Sequence, residues 1–107
     1  MKEVDIGIAA DVGTLTRLPK VVGHYGWVKE VSMTARHFGA EEAYRVGFVN
    51  SVANTKQEAV QQAVDLAVLV SSKSPVAVQG TKNFLDWSRD HTVADGEMKS
   101  LCARKQS

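Results

Sequence analysis

The sequence predicts a mostly α chain with one or two short strands. Three observations carry this. Apolar residues recur at i, i+3 and i+4 through "AVQQAVDLAVLVS", the spacing of one helical face. Helix-start signatures, Thr55-x-x-Glu58 and Ser74-Pro75, stand ahead of the longest helical patterns. Strict alternation of apolar and polar residues, the strand period, is confined to "KEVDIGI" near the amino terminus.

Val4, Ile6 and Ile8 alternate with Glu3, Asp5 and Gly7, which predicts a strand over about Lys2–Ile8. Leu15, Leu18 and Val22 follow at helical spacing. Gly23 is the expected stop there, and Pro19 keeps that helix short or kinks it. "HYGWVKEVSMTA" predicts a second short helix with Trp27, Val28 and Val31 on one side. "GAEEAYRVG" predicts a third, about two turns long and ended by Gly47. "FVNSV" reads as a brief strand or an extended link. The capping box at Thr55 opens a longer helix to about Ser71. Its apolar stripe is Ala59, Val60, Ala63, Val64, Ala67 and Val68, and Gln57, Gln61, Gln62 and Asp65 lie on its polar face. Pro75 to about Ser88 comes next, turning Val78, Thr81, Phe84 and Leu85 to one side. Thr92 and Asp95 open a last helix, weakened by Gly96. A lone strand leaves unpaired backbone on both edges, so a pairing partner is expected outside these residues.

A chain of 107 residues suffices for one small domain. If compact, it buries roughly two-thirds of its unfolded surface. Hydrophobic residues at 44% and charged residues at 23% suit a soluble globular protein. A net charge of +1 supplies no field to draw nucleic acid or anionic membrane. No run reaches the ~18 apolar residues of a membrane span, and no targeting segment is visible. Cys102, the single cysteine, has no internal disulfide partner and no evident activating neighbour.

The chemistry-bearing residues concentrate at the amino-terminal end. Glu3 and Asp5 would share a strand face about 6.7 Å apart, and Asp11 follows a turn that can bring it back toward them. Paired carboxylates in a partly apolar cleft suit acid–base work, because desolvation and mutual repulsion split their pKa values. Spacing alone favours a simpler reading, a solvated face with Asp11 capping the next helix. His24, His37 and His91 lack metal-ligand spacing. Lys73, Lys82 and Arg89 read as solvated helix charges. Trp27 and Trp87 read as packing residues. No dinucleotide or phosphate-loop pattern occurs.

"EVDIGIAADVGTLTRLPKVVG" resembles the middle of enoyl-CoA hydratase/isomerase (crotonase) superfamily sequences, through Glu3, Gly7, Gly13, Arg17 and Leu18. "TARHFGAEEAYRVGFVNSV" and "SSKSPVAVQGTK" resemble the segments that follow in that family, and the resemblance runs from about Lys2 to Asp95. Asp11, eight residues after Glu3 within "AADVGTLTRLPKV", is similar to the delta(3,5)-delta(2,4)-dienoyl-CoA isomerase branch. The resemblance implies the carboxy-terminal portion of a crotonase-like ββα-spiral fold with an incomplete core. Residues 1–54 would end the spiral core, and residues 55–107 would form the helical, trimerisation-type region.

It implies further that Glu3 is one of two proton-shuttling carboxylates and that Asp11 is an assisting pocket acid. The substrate would be an acyl-CoA, with no cofactor, in fatty acid β-oxidation. The setting would be a mitochondrial or peroxisomal homo-oligomer, trimer or hexamer. In the family, the region before the counterpart of Lys2 supplies the other aspartate and both oxyanion N–H groups. The chain alone is therefore expected to be an inactive or nearly inactive fragment. Two alternatives stand beside this. One is an enoyl-CoA hydratase or simple enoyl-CoA isomerase, which Asp11 disfavours. The other is a non-catalytic helical piece that associates with full-length subunits.

Overall fold

The computed structural model describes residues 2–104, except for the side chains at positions 98 and 100–104. The reading of Cys102 as inert falls on one of those side chains and lies outside the described ones. Among the described residues, six α-helices follow a short 3₁₀ turn at Glu3–Ile6. They are α1 (Thr14–Val21), α2 (Tyr25–Thr34), α3 (Ala40–Arg45), α4 (Lys56–Ser71), α5 (Pro75–Ser88) and α6 (Val93–Arg104). The chain divides into two compact units between Ala59 and Val60. No helix among the described residues is long and apolar enough to cross a membrane.

The strand expected over Lys2–Ile8 is not formed; a 3₁₀ turn takes its place. A strand satisfies its backbone only through a neighbour's ladder, whereas this segment satisfies its own. Asp5 N–H donates to the Lys2 carbonyl at 3.0 Å, and Gly7 N–H to the Val4 carbonyl at 3.2 Å. Lys2 Nζ meets Asp5 Oδ2 at 2.9 Å, the i,i+3 contact that a helical turn provides. Gly7 then ends the turn at φ +79°, where a side chain is strained. The alternation that suggested a strand is real in sequence, but Ile6 remains 75% exposed. "FVNSV" forms no strand either: the N–H groups of Phe48 and Val49 fold back onto the Ala43 carbonyl at 2.8 and 3.4 Å.

The first unit contains the buried core. Leu18, Val22, Trp27, Val28 and Val31 form it, with half-buried Phe38 and Val46 packed against them. Each such side chain contributes about 1.5–3 kcal/mol by leaving water. Trp27, Val28 and Val31 lie on one side of α2, as their spacing predicts. Pro19 sits inside α1. This helix is eight residues long and stops at Val22, whose extended backbone makes it the terminator in place of Gly23. His24 caps α2 by accepting the Trp27 N–H on Nδ1 at 3.0 Å. α3 ends at Arg45 with Val46 as its cap, and Gly47 follows at φ +80°.

A polar network closes this unit. Trp27 Nε1–H donates to Glu42 Oε1 at 2.7 Å. Arg36 donates to both Glu42 oxygens and, through Nε, to Glu30 at 2.6 Å. α2, the following loop and α3 are thereby tied at one point. Arg36, and then the Trp27 indole, pull the Glu42 carboxyl down to about 2 from its ordinary 4.5.

The later helices begin with caps. At the start of α4, still within the first unit, Glu58 N–H donates to Thr55 Oγ1 at 3.1 Å, and Glu58 Oε2 reaches back to accept the Asn54 N–H at 3.0 Å. Ser74 accepts the Ala77 N–H, with Pro75 at the first turn of α5. Thr92 and Asp95 exchange bonds at the start of α6. Trp87 stacks on His91 with ring centres 3.6 Å apart, and His91 Nδ1–H donates to the Trp87 carbonyl at 2.7 Å. Lys99 Nζ lies 4.1 Å from the Trp87 ring centre. Gly96 is buried against Phe84, with room for an ordinary methyl contact at 3.6 Å. None of the large apolar side chains along α4 is buried.

Two predictions follow from these contacts. Glu42 contributes stability that is fully present above about pH 4.5 and is lost as pH falls through about 2. Acid unfolding followed by Trp27 fluorescence should show that dependence, and Glu42→Gln should remove this part of it. Gly96→Ala should raise the thermal midpoint of the helical signal, since alanine favours a helix interior by about 1 kcal/mol and its methyl fits.

Candidate active site

The segment from Glu3 to Gly13 is framed by two left-handed glycines. Gly7 turns the chain out of the 3₁₀ turn. Gly13, at φ +86°, turns it into α1, and its N–H donates to the Asp11 carbonyl at 2.8 Å. An added Cβ at position 13 would stand 3.3 Å from Cζ and Nε of Arg17, a tight contact with the flexible end of that side chain. The Arg17 side chain therefore lies along the backbone just after Asp11.

Glu3 sits half-buried in the 3₁₀ turn, and its carbonyl accepts the Ile8 N–H at 3.1 Å. The carboxylate itself makes no hydrogen bond or ion pair among the described residues. Asp11 is exposed, likewise without a side-chain partner among them. No hydrogen bond joins the two acids. Asp11 does not cap α1, because Gly13 occupies that position and the cap makes no side-chain bond. Glu3 and Asp5 do not share a face as a strand would have placed them. At three residues per turn they diverge, and Asp5 is taken up by Lys2. Two unpaired carboxylates so placed can accept or deliver protons, which a carboxylate locked to an arginine, such as Glu42, does poorly.

Immediately beyond Asp11 lies an apolar cleft of about 350 Å³. Leu18, Trp27, Phe38, Phe48, Val12 and Val21 line it; Leu18 and Trp27 are buried, whereas Val12, Val21 and Phe48 are exposed. The three rings form one cluster, with Trp27 and Phe38 edge-on at 4.9 Å and Phe38 and Phe48 at 6.1 Å. Arg17 and Thr14 supply the polar lining. Sequence reasoning missed this cleft. Phe38 and Phe48 flank the third helix in sequence, and that bracketing was the available signal. It also missed the Glu42–Arg36 pair, whose residues sit at unremarkable helix-end positions.

The other candidates do not assemble. Among the described residues no three His, Cys, Asp or Glu converge as a metal site. Lys73 and Lys82 line a separate groove with Val78, Leu85 and Asp86.

The fold accords with that of known proteins. The family model for enoyl-CoA hydratase/isomerase matches residues 1–101. Over 95 residues, 89% of this chain, the sequence is 54% identical to the mitochondrial Delta(3,5)-Delta(2,4)-dienoyl-CoA isomerase of Homo sapiens. Over 96 residues it is 44% identical to the peroxisomal Delta(3,5)-Delta(2,4)-dienoyl-CoA isomerase of Arabidopsis thaliana. The match covers 29% of the human protein and 34% of the plant one, so the chain spans about a third or less of these relatives. The crystal structure of a probable enoyl-CoA hydratase/isomerase from Mycobacterium abscessus superposes with a TM-score of 0.81 at 32% identity. That superposition covers 91% of this chain and 38% of the other. The expected mostly α portion of a crotonase-like fold is thus observed, and the chain belongs to the enoyl-CoA hydratase/isomerase family.

Proposed function

We propose that this chain carries part of the active site of an isomerase that shifts the conjugated double bonds of a 3,5-dienoyl-CoA to the 2,4 positions. The observation that carries the reading is its 54% identity to a human protein named for that reaction. Glu3 is one proton-transfer carboxylate and Asp11 an assisting acid. A carboxylate removes a proton from the carbon between the thioester and the diene, and the electron pair moves onto the thioester oxygen as an extended enolate conjugated with both double bonds. A partner acid then delivers a proton at the far end of the former diene, so the reaction is proton-neutral and needs no cofactor. The enolate oxygen calls for two N–H donors, each often worth about 2.7–4 kcal/mol. Those donors and the partner acid belong to regions of the relatives that this chain does not span. The chain alone is accordingly inactive or nearly so, and the working form is a homo-oligomer of longer subunits in mitochondria or peroxisomes.

A second reading is a helical piece that associates with full-length subunits. The uncovered apolar side chains of α4 and α5 favour it. Size-exclusion chromatography with an intact homologue separates the two, since a monomer that stays apart from the homologue argues against association.

The decisive assay follows loss of the diene in 3,5-dienoyl-CoA. The isolated chain should show no turnover above buffer. A chimera in which residues 2–95 replace their counterpart in the human relative should be active. Glu3→Gln in that chimera should lower kcat by about 10²–10⁴-fold, and Asp11→Asn by less. Turnover by the isolated chain that Glu3→Gln abolishes would refute its inactivity. A chimera indifferent to Glu3→Gln would remove Glu3 from the mechanism.

A further inference from the structure

We propose that His24 is a pH-sensitive clasp on α2: the neutral imidazole holds the first turn of the helix closed, and a proton on the ring releases it. The geometry of the cap leads there. His24 Nδ1 accepts the Trp27 N–H at 3.0 Å, and Val28 N–H donates to the His24 carbonyl at 3.2 Å. An imidazole nitrogen accepts only through its lone pair, so the proton of the neutral ring sits on Nε2. A second proton can go only to Nδ1. It would turn the acceptor into a donor and set two N–H groups against each other. The Trp27 N–H, on a residue that is 5% exposed, would then lose its acceptor.

Two features make this cap differ from the others. The first turn of α2 holds no acidic side chain to offset a charged ring, and a helix start is the positive end of the backbone dipole. By contrast, α4, α5 and α6 open on the hydroxyls of Thr55, Ser74 and Thr92, which take up no proton in the imidazole range. What the clasp holds also matters. Trp27, Val28 and Val31 on α2 belong to the core cluster, and both α1 and the Glu3–Ile6 turn pack on this helix. Release of its first turn therefore acts on the core and on the segment that carries Glu3.

A folded chain that keeps the cap excludes a proton that the unfolded chain takes up. Stability should accordingly rise with pH across the imidazole range, roughly pH 5 to 8. Glu42 acts in a separate window, since Arg36 and the Trp27 indole pull its carboxyl down to about 2. Other titratable and charged groups stand on the elements packed here. They are Glu3 and Asp5 on the turn, Arg17 and Lys20 on α1, and Tyr25 and Lys29 on α2 itself. An asparagine at position 24 leaves all of them in place, so any pH effect of theirs would survive that substitution.

The test uses the full chain in a Trp87→Phe background, where Trp27 is the only tryptophan. Melting is followed by its emission at about pH 8 and about pH 5.5, either side of the usual imidazole midpoint. The midpoint should be lower at the acid pH by about 4–8 °C, the scale of one lost helix cap in a domain this small. His24→Asn, which caps without titrating, should match the parent at the higher pH and keep that midpoint at the lower one. His24→Ala, with no cap at either pH, should melt at the lower temperature in both. His37→Gln and His91→Gln should retain the parent's shift. A second readout follows the bond without unfolding the chain. The Trp27 amide proton resonance should titrate together with the His24 ring protons, and should stay fixed in His24→Asn.

A parent midpoint that does not move between the two pH values would overturn the proposal. So would a shift that survives His24→Asn or disappears in His37→Gln, or a Trp27 amide that ignores the titration of the His24 ring. The role of Glu3 is read from turnover and stands or falls separately.

Discussion

The amino-terminal unit depends on the placement of one indole. Trp27 is 5% exposed, so its ring belongs to the core, yet its N–H must find an acceptor or carry the cost of burial unpaired. Glu42 supplies that acceptor, and Arg36 holds Glu42 in position while also gripping Glu30. One polar contact thereby fixes the distance between α2 and α3. The same ring packs edge-on to Phe38 and lines the cleft beside Asp11. Core, helix spacing and candidate ligand surface are three uses of a single side chain.

Much of this was legible in the sequence wherever the cause is local. The capping boxes at Thr55–Glu58 and Thr92–Asp95 form as their spacing predicts, and Ser74-Pro75 opens a helix. These signatures work because donor and acceptor lie three residues apart, within reach before any tertiary structure exists. The buried side of α2 was legible for a related reason, since helical period alone puts Trp27, Val28 and Val31 together.

The failures share an opposite cause. An alternating pattern at Val4, Ile6 and Ile8 says which residues would line a strand face, but it cannot supply the neighbouring strand. Without one, the i,i+3 contacts of Lys2 and Asp5 and the left-handed Gly7 decide the geometry. The cleft was illegible because Val12, Phe38 and Phe48 come from three separate segments. Its residues meet only when α1 packs on α2 and Phe38 and Phe48 close on Trp27. The candidate acids stand between these cases. Their spacing was plain from the sequence, whereas the absence of a cationic partner among the described residues emerges only in three dimensions.

The open faces of α4 carry a thermodynamic consequence. The steepness of a denaturant transition and the heat-capacity step on melting both scale with apolar surface newly exposed to water. Val60, Val64, Leu66, Val68 and Leu69 are already half-wetted in the folded state, so melting their helix uncovers little more. The carboxy-terminal unit should therefore lose its helicity gradually, in the manner of an isolated peptide helix. The Trp27 unit, whose valines and indole are dry, has the ingredients of a sharp, cooperative transition.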